Sequence, residues 1–232
     1  MDVQGYFQNL VDAFVGGATK SGFKATTDRV VLSPVEKDGE PCWELSLKNT
    51  ALKLTTDVAP GRGNNLSKRL GFDKGELKIL ISPRETIKKG EPWNIKESAI
   101  ELAYIARDLS KATPDLLLGV HCDFSVAQTG DPLPAHPLFH AQLTSRLVKL
   151  NDMIDGTNLE RMKSLPPFRL PTAHMSLPSV LLLVAADHFK QQQYLDFLKE
   201  LRKTMPFPCM SNPRFVTRAD GRGMRSCAWY PS

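Results

Sequence analysis

The sequence predicts an α+β fold, an antiparallel sheet covered by several amphipathic helices. Apolar residues recur at helical spacing near both ends of the chain, and period-two alternation fills much of the middle. The predicted order of helix, strands, helix, strands and two helices lacks the regular alternation of a doubly wound sheet. The expected organisation is one domain over residues 1–205 and an irregular basic tail over 206–232. With 232 residues, 41% hydrophobic and 24% charged, the chain can bury a sizeable core and has a globular balance.

Val3, Tyr6, Phe7, Leu10, Val11 and Phe14 form one apolar stripe, so a helix opens the chain, and Gly16-Gly17 is expected to end it. Trp43, Leu45 and Leu47 alternate with polar neighbours, and Leu52 and Leu54 follow Asn49-Thr50, which predicts a hairpin with one wet face. Residues 59–71 read as a surface loop. Leu77, Ile79 and Ile81 mark a further strand after the turn-forming Asp73-Lys74-Gly75. Asn94-Ile95-Lys96-Glu97 resembles a capping box, opening a helix to about Leu109 with Ile95, Ile100, Tyr104 and Leu109 on its buried side.

Residues 116–126 carry the strongest strand signal. Leu118, Val120, Cys122, Phe124 and Val126 share one face, and Leu117, Gly119, His121, Asp123 and Ser125 the other. A loop with Gly130, Pro132, Pro134 and Pro137 leads to a strand in which Phe139, Ala141 and Leu143 alternate with His140, Gln142, Thr144 and Arg146. Two helices follow. One starts near Ser176 with Pro178 in its first turn and runs to about Phe189; the other spans about 191–204 with Tyr194, Leu195, Leu198 and Leu201 inward.

Several classes are set aside. Without a run of about 18 apolar residues no transmembrane helix is expected, and Met1-Asp2-Val3-Gln4 has no basic region of a secretory signal, so the expected setting is cytoplasmic. Cys42, Cys122, Cys209 and Cys227 contain no C-x-x-C pair, which argues for buried free thiols rather than a zinc ribbon. Phosphate-loop, dinucleotide-binding and nucleophile-elbow glycine motifs are missing. Gly61-Arg62-Gly63 and Gly221-Arg222-Gly223 read as ordinary turns able to approach phosphate.

Charge is unevenly placed. Beyond residue 200, Arg202, Lys203, Arg214, Arg218, Arg222 and Arg225 stand against Asp220 alone, which accounts for the whole net charge of +5. The first 200 residues balance. A basic end of this kind points to a polyanionic partner such as nucleic acid.

All five histidines fall between 121 and 188. If strands 116–126 and 138–146 pair, His121 and Asp123 share a surface with His140, Gln142 and Arg146, with His136 in the loop above it. Such a surface suits three chemistries. His121, Asp123, His136 and His140 could hold a divalent metal; a His–His or His–Asp pair could act as general acid and base, with Arg146 or Arg169 on a phosphate; or the groups form a hydrogen-bonded polar layer. If the chain is an enzyme, it is then nuclease-like or phosphate-transferring. His188, near a helix end, suits capping or packing, and nothing requires His174 at the site.

The run His121-Cys122-Asp123-Phe124, then His136-Pro137-Leu138-Phe139-His140-Ala141-Gln142-Leu143, then Arg169-Leu170-Pro171 ahead of an apolar helix resembles uncharacterised small bacterial proteins of mobile elements and defence islands. The resemblance covers about residues 116–190 and implies a bacterial, cytoplasmic setting beside a partner protein. It carries no catalytic role.

Three functions compete. The first is a nucleic-acid-associated defence or mobile-element component, with the polar hairpin as its phosphate face and the tail as its anchor. The second is a non-enzymatic subunit that docks on another protein. The third is a small-molecule or nucleotide-binding enzyme using His121 and His140.

Overall fold

The computed structural model describes residues 2–26, 28–59, 68, 70–90, 94–125, 139–163, 169–171 and 176–204, without the side chains of 94, 124–125, 139–140, 161, 169–171 and 202–204. Helix α1, Val3–Lys20, starts where the Asp2 side chain accepts the Gly5 amide, satisfying an open N–H of the first turn. Its predicted stripe is buried from Tyr6 onward, with Val3 partly buried, and continues through Val15 and Ala18. Gly16-Gly17 do not end it. The stop is Gly22, whose φ of 99° allows Phe23 N–H to reach back to Ala18 O and Gly22 N–H to Thr19 O. Gly17 instead meets Phe189: a Cβ there would lie 2.5 Å from its ring.

The strands are β1 Lys24–Thr26, β2 Val30–Lys37, β3 Glu40–Leu47, β4 Leu52–Val58, β5 Gly75–Lys88, β6 Asn94–Asp108, β7 Asp115–Ser125, β8 Phe139–Leu143 and β9 Arg169–Pro171. Among the described residues they form one sheet in the order β1-β4-β5-β6-β7-β8-β9, with β3 also on β5 and β2 beyond β3. Every ladder is antiparallel. The fold is α+β.

The segment around Asn49-Thr50 is not a hairpin turn. β3 and β4 lie end to end along one edge of β5, with Leu45 opposite Glu85 and Leu52 opposite Ile81. The intervening residues are too many for the stretch of β5 they pass, so the chain bulges, with Thr50 at φ 72° and its carbonyl accepting the Ser82 hydroxyl at 2.7 Å. The hairpin that does form joins β2 to β3 through Asp38-Gly39, both at positive φ, a turn whose twist matches the strands.

The predicted helix from Asn94 to about Leu109 is strand β6 instead. β6 lies between β5 and β7 and is hydrogen-bonded along both edges. Ile100 and Leu102 are buried on one face, Ala103 and Ile105 on the other. A central strand buried on both sides loses the clean alternation of a half-wet strand, and this pairing overrides the helix propensity of Glu, Ala and Leu. Leu109, expected inward, lies past the strand end and is exposed.

Helix α2, Asn151–Ile154, and helix α3, Glu160–Lys163, precede β9; α4, Leu177–His188, and α5, Gln191–Thr204, follow it. One face of the sheet carries the main core, where Ile79, Ile81, Ile100, Leu102 and Cys122 meet residues of α1, α4 and α5. α4 buries Leu177, Pro178, Val180, Leu181, Val184 and Ala185, so it is apolar around most of its circumference. In α5 Phe197 and Leu201 are buried, whereas Leu195, expected inward, is exposed. The opposite face carries a smaller cluster, in which Leu80, Ala103, Ile105 and Leu116 meet Leu147, Leu150, Ile154 and Met162. The chain leaving β8 crosses Gly119 to reach it: Thr144 N–H donates to Gly119 O at 2.9 Å, and a Cβ at 119 would sit 2.1 Å from Thr144 O.

The expected loop at 59–71, apart from residues 59, 68, 70 and 71, the proline-rich loop with His136, His174, and the tail with Arg214, Arg218, Arg222 and Arg225 lie outside the described residues. No described helix is long and apolar enough to cross a membrane.

Candidate functional site, a charged row across the sheet

Strands β7 and β8 pair, which is the condition on which the expected polar surface rested. His121 stands opposite Gln142, and Asp123 opposite position 140. The row extends further on both sides: Glu101 of β6 pairs with His121, and Gln142 pairs with position 169 of β9. Directly opposed positions in a ladder belong to one face. Glu101, His121, Gln142 and position 169 therefore make one row across four strands, and Asp123 and position 140 begin the next row on that face. Ala103 and Gly119, paired one row further, place it on the side of the smaller apolar cluster.

His121 is held between two carboxylates. Its Nε2 lies 2.5 Å from Asp123 Oδ1, and its Nδ1 lies 3.6 Å from Glu101 Oε1. The hydrogen bond to Asp123, and then Glu101, raise the imidazole from 6.5 to about 9 against the opposing effect of burial. With that shift the ring is an imidazolium at neutral pH, donating from Nε2 to Asp123 and facing Glu101 as an ion pair at Nδ1. The carboxylates differ in freedom: the Glu101 side chain is 3% exposed and Asp123 36%. Glu101 is also anchored from behind, because its Oε2 accepts the Lys149 and Leu150 amides at 2.8 and 3.0 Å. Glu101 is thus the fixed partner and Asp123 the one that faces water.

Chemically, a histidine that keeps its proton at pH 7 can donate it or hold an anion, but it is a poor general base. Both its ring nitrogens are engaged by carboxylates, and among the described residues no group of His, Cys, Asp and Glu is arranged to hold a metal ion. Two ion pairs lie on this face: Arg84 Nη2 is 2.6 Å from Glu44, and Lys37 2.7 Å from Glu97.

The structure assembles His121, Asp123 and Gln142, and puts positions 140 and 169 in register with them. It does not bring Arg146 into the row. β8 ends at Leu143, and Arg146 is exposed in the following turn, its amide donating to Thr144 Oγ1. His188 lies with Nε2 3.2 Å from Tyr104 Oη and its ring edge-on to Phe23, a packing position at the end of α4. Cys42 and Cys122 are buried free thiols, and burial pushes Cys122 up to about 12, so it is no nucleophile. The residue missed from sequence is Glu101. Its signal was the alternation of Ile100, Leu102 and Tyr104 with Ala99, Glu101 and Ala103, hidden by the helix-like composition of that stretch.

No known family, curated protein or solved structure matches the chain.

Proposed function

We propose that this protein is a nucleic-acid-associated component of a bacterial defence or mobile-element system, cytoplasmic and working beside a partner protein, with a histidine-based phosphate-handling site on its sheet. The observation that carries this reading is His121 held between Asp123 and Glu101, in register with Gln142 and position 169. Gln142 supplies an amide donor, and the residue in register at position 169 is an arginine, a residue type suited to phosphate oxygens. Asp123, the exposed partner, is the group that a phosphate oxygen would displace, while buried Glu101 keeps the ring oriented. If the protein turns over substrate, His121 is the proton donor to a leaving oxygen. Helices α1 and α5 act as the amphipathic cover of the opposite face.

Because the first 200 residues balance in charge, long-range attraction for a polyanion comes from the basic end, in the tail from Arg214, Arg218, Arg222 and Arg225. Binding to labelled single-stranded RNA or DNA should weaken steeply with salt, and deleting 206–232 should reduce the log–log salt slope by up to about 3, as loss of four phosphate contacts requires. Salt-independent binding, or an unchanged slope after deletion, would overturn the nucleic-acid reading.

A second reading, a non-enzymatic subunit docking on a protein, is favoured by exposed Val148 and Met153 on the segment beside the row. It expects a stoichiometric partner in purified material that Val148→Asp releases.

A further inference from the structure

On the face of the sheet away from His121, β5 carries a carboxyl in an apolar place. Glu85 occupies the register row of Leu45 and Ser98 and is fully buried. Its Oε1 accepts the Leu177 amide, at the first turn of α4, at 2.8 Å, and the Ser98 hydroxyl at 3.0 Å. Among the described residues its Oε2 has no hydrogen-bond partner. No cation compensates it: among the described residues only the neutral donors of Leu177 and Ser98 act on the carboxyl, while Arg84 and Glu44 belong to the other face and pair with each other.

Two effects oppose one another here. The amide, the hydroxyl and the positive end of the α4 dipole favour a carboxylate. Removing a charged oxygen from water with no partner disfavours it more strongly. Burial dominates, so the group is pushed up to about 7. The closed seam between β5 and α4 therefore suits the neutral acid, and an ionised Glu85 is relieved when water reaches Oε2.

We propose that Glu85 is a pH-sensitive latch between the sheet and the first turn of α4, closed as the neutral acid and loosened when the carboxyl ionises. The helix begins six positions after Pro171 of β9, so loosening acts close in sequence to the strand that supplies position 169 of the charged row. The latch stands on its own geometry and does not depend on what the row binds.

The test is native-state hydrogen exchange of the 177–188 amides, corrected for intrinsic exchange, in wild type and Glu85→Gln. With a folded value near 7 against 4.5 when open, the opening equilibrium of wild type should rise roughly 30-fold between about pH 5.5 and 8.5. In Glu85→Gln the rise should vanish. Equal pH dependence in both proteins would overturn the latch. A carbon-13 titration of the Glu85 carboxyl in wild type reads the same group without relying on the variant's folding. A midpoint near 7 supports the latch, and one in the ordinary carboxylate range overturns it.

Discussion

The imidazolium of His121 and its two carboxylates divide their roles by exposure. The hydrogen bond to Asp123 is the larger cause of the raised value, and Glu101 the second. Asp123→Asn should therefore lower the His121 midpoint further than Glu101→Gln, as followed by imidazole NMR. Glu101→Ala should also unfold the protein more easily than Glu101→Gln, by about 1–3 kcal/mol, because it leaves the Lys149 and Leu150 amides without their acceptor. Urea denaturation of the two variants measures that difference. His121, Asp123 and Gln142 were legible in the sequence because period-two alternation fixes which residues share a face. Glu101 and Glu85 were not. The first sits in a run that satisfies helix propensity, and the second occupies an apolar-face position, after Leu77, Ile79 and Ile81, where pattern alone expects a hydrophobe.

Single glycines separate what an element prefers from what its packing demands. Gly16 and Gly17 are both inside α1, yet a Cβ on Gly16 meets nothing within 4 Å, while one on Gly17 strikes Phe189, itself packed against Phe14 and Phe197. Gly16→Ala should stabilise by up to about 1 kcal/mol through helix propensity. Gly17→Ala should destabilise by about 1–3 kcal/mol through overpacking. Thermal or urea melts of the pair check both signs. This local conflict explains why the Gly-Gly pair misled as a stop signal: of Gly16, Gly17 and Gly22, Gly22 alone has the positive φ that a helix terminus uses. The β2–β3 hairpin was announced by Asp38-Gly39, a sharper signal than Asn49-Thr50, whose place between alternating runs imitates a turn. Whether two alternating runs pair with each other or side by side on a third strand is set by long-range register, which short spacing does not encode. In β6 the decisive fact, neighbours on both edges, is likewise non-local.

Across the whole molecule His121 and Glu85 act in one direction. His121, raised to about 9, contributes stability that is complete below its unfolded value of 6.5 and is lost as pH rises through 9. Glu85, raised to about 7, binds its proton more tightly folded than unfolded, so its favourable contribution is complete below 4.5 and is lost as pH rises through 7. The unfolding free energy should fall from about pH 5 to pH 9, by about 2–3 kcal/mol for each group. Glu85→Gln should flatten the lower half of that fall and His121→Gln the upper half, as read by urea midpoints at several pH values. At this scale the α+β class was legible from alternation and amphipathic stripes, and the basic excess was legible from charge counting. The branching of the sheet at β5 was not, because it depends on one long strand offering its edge to two shorter ones.

The measurement closest to the functional claim is an imidazole NMR titration of His121, with and without a short single-stranded oligonucleotide. A midpoint near 9 is expected in the free protein, and a displaced His121 resonance when the oligonucleotide is added, as phosphate replaces Asp123 at Nε2. A midpoint near 6.5, or a His121 resonance indifferent to saturating oligonucleotide, would contradict it.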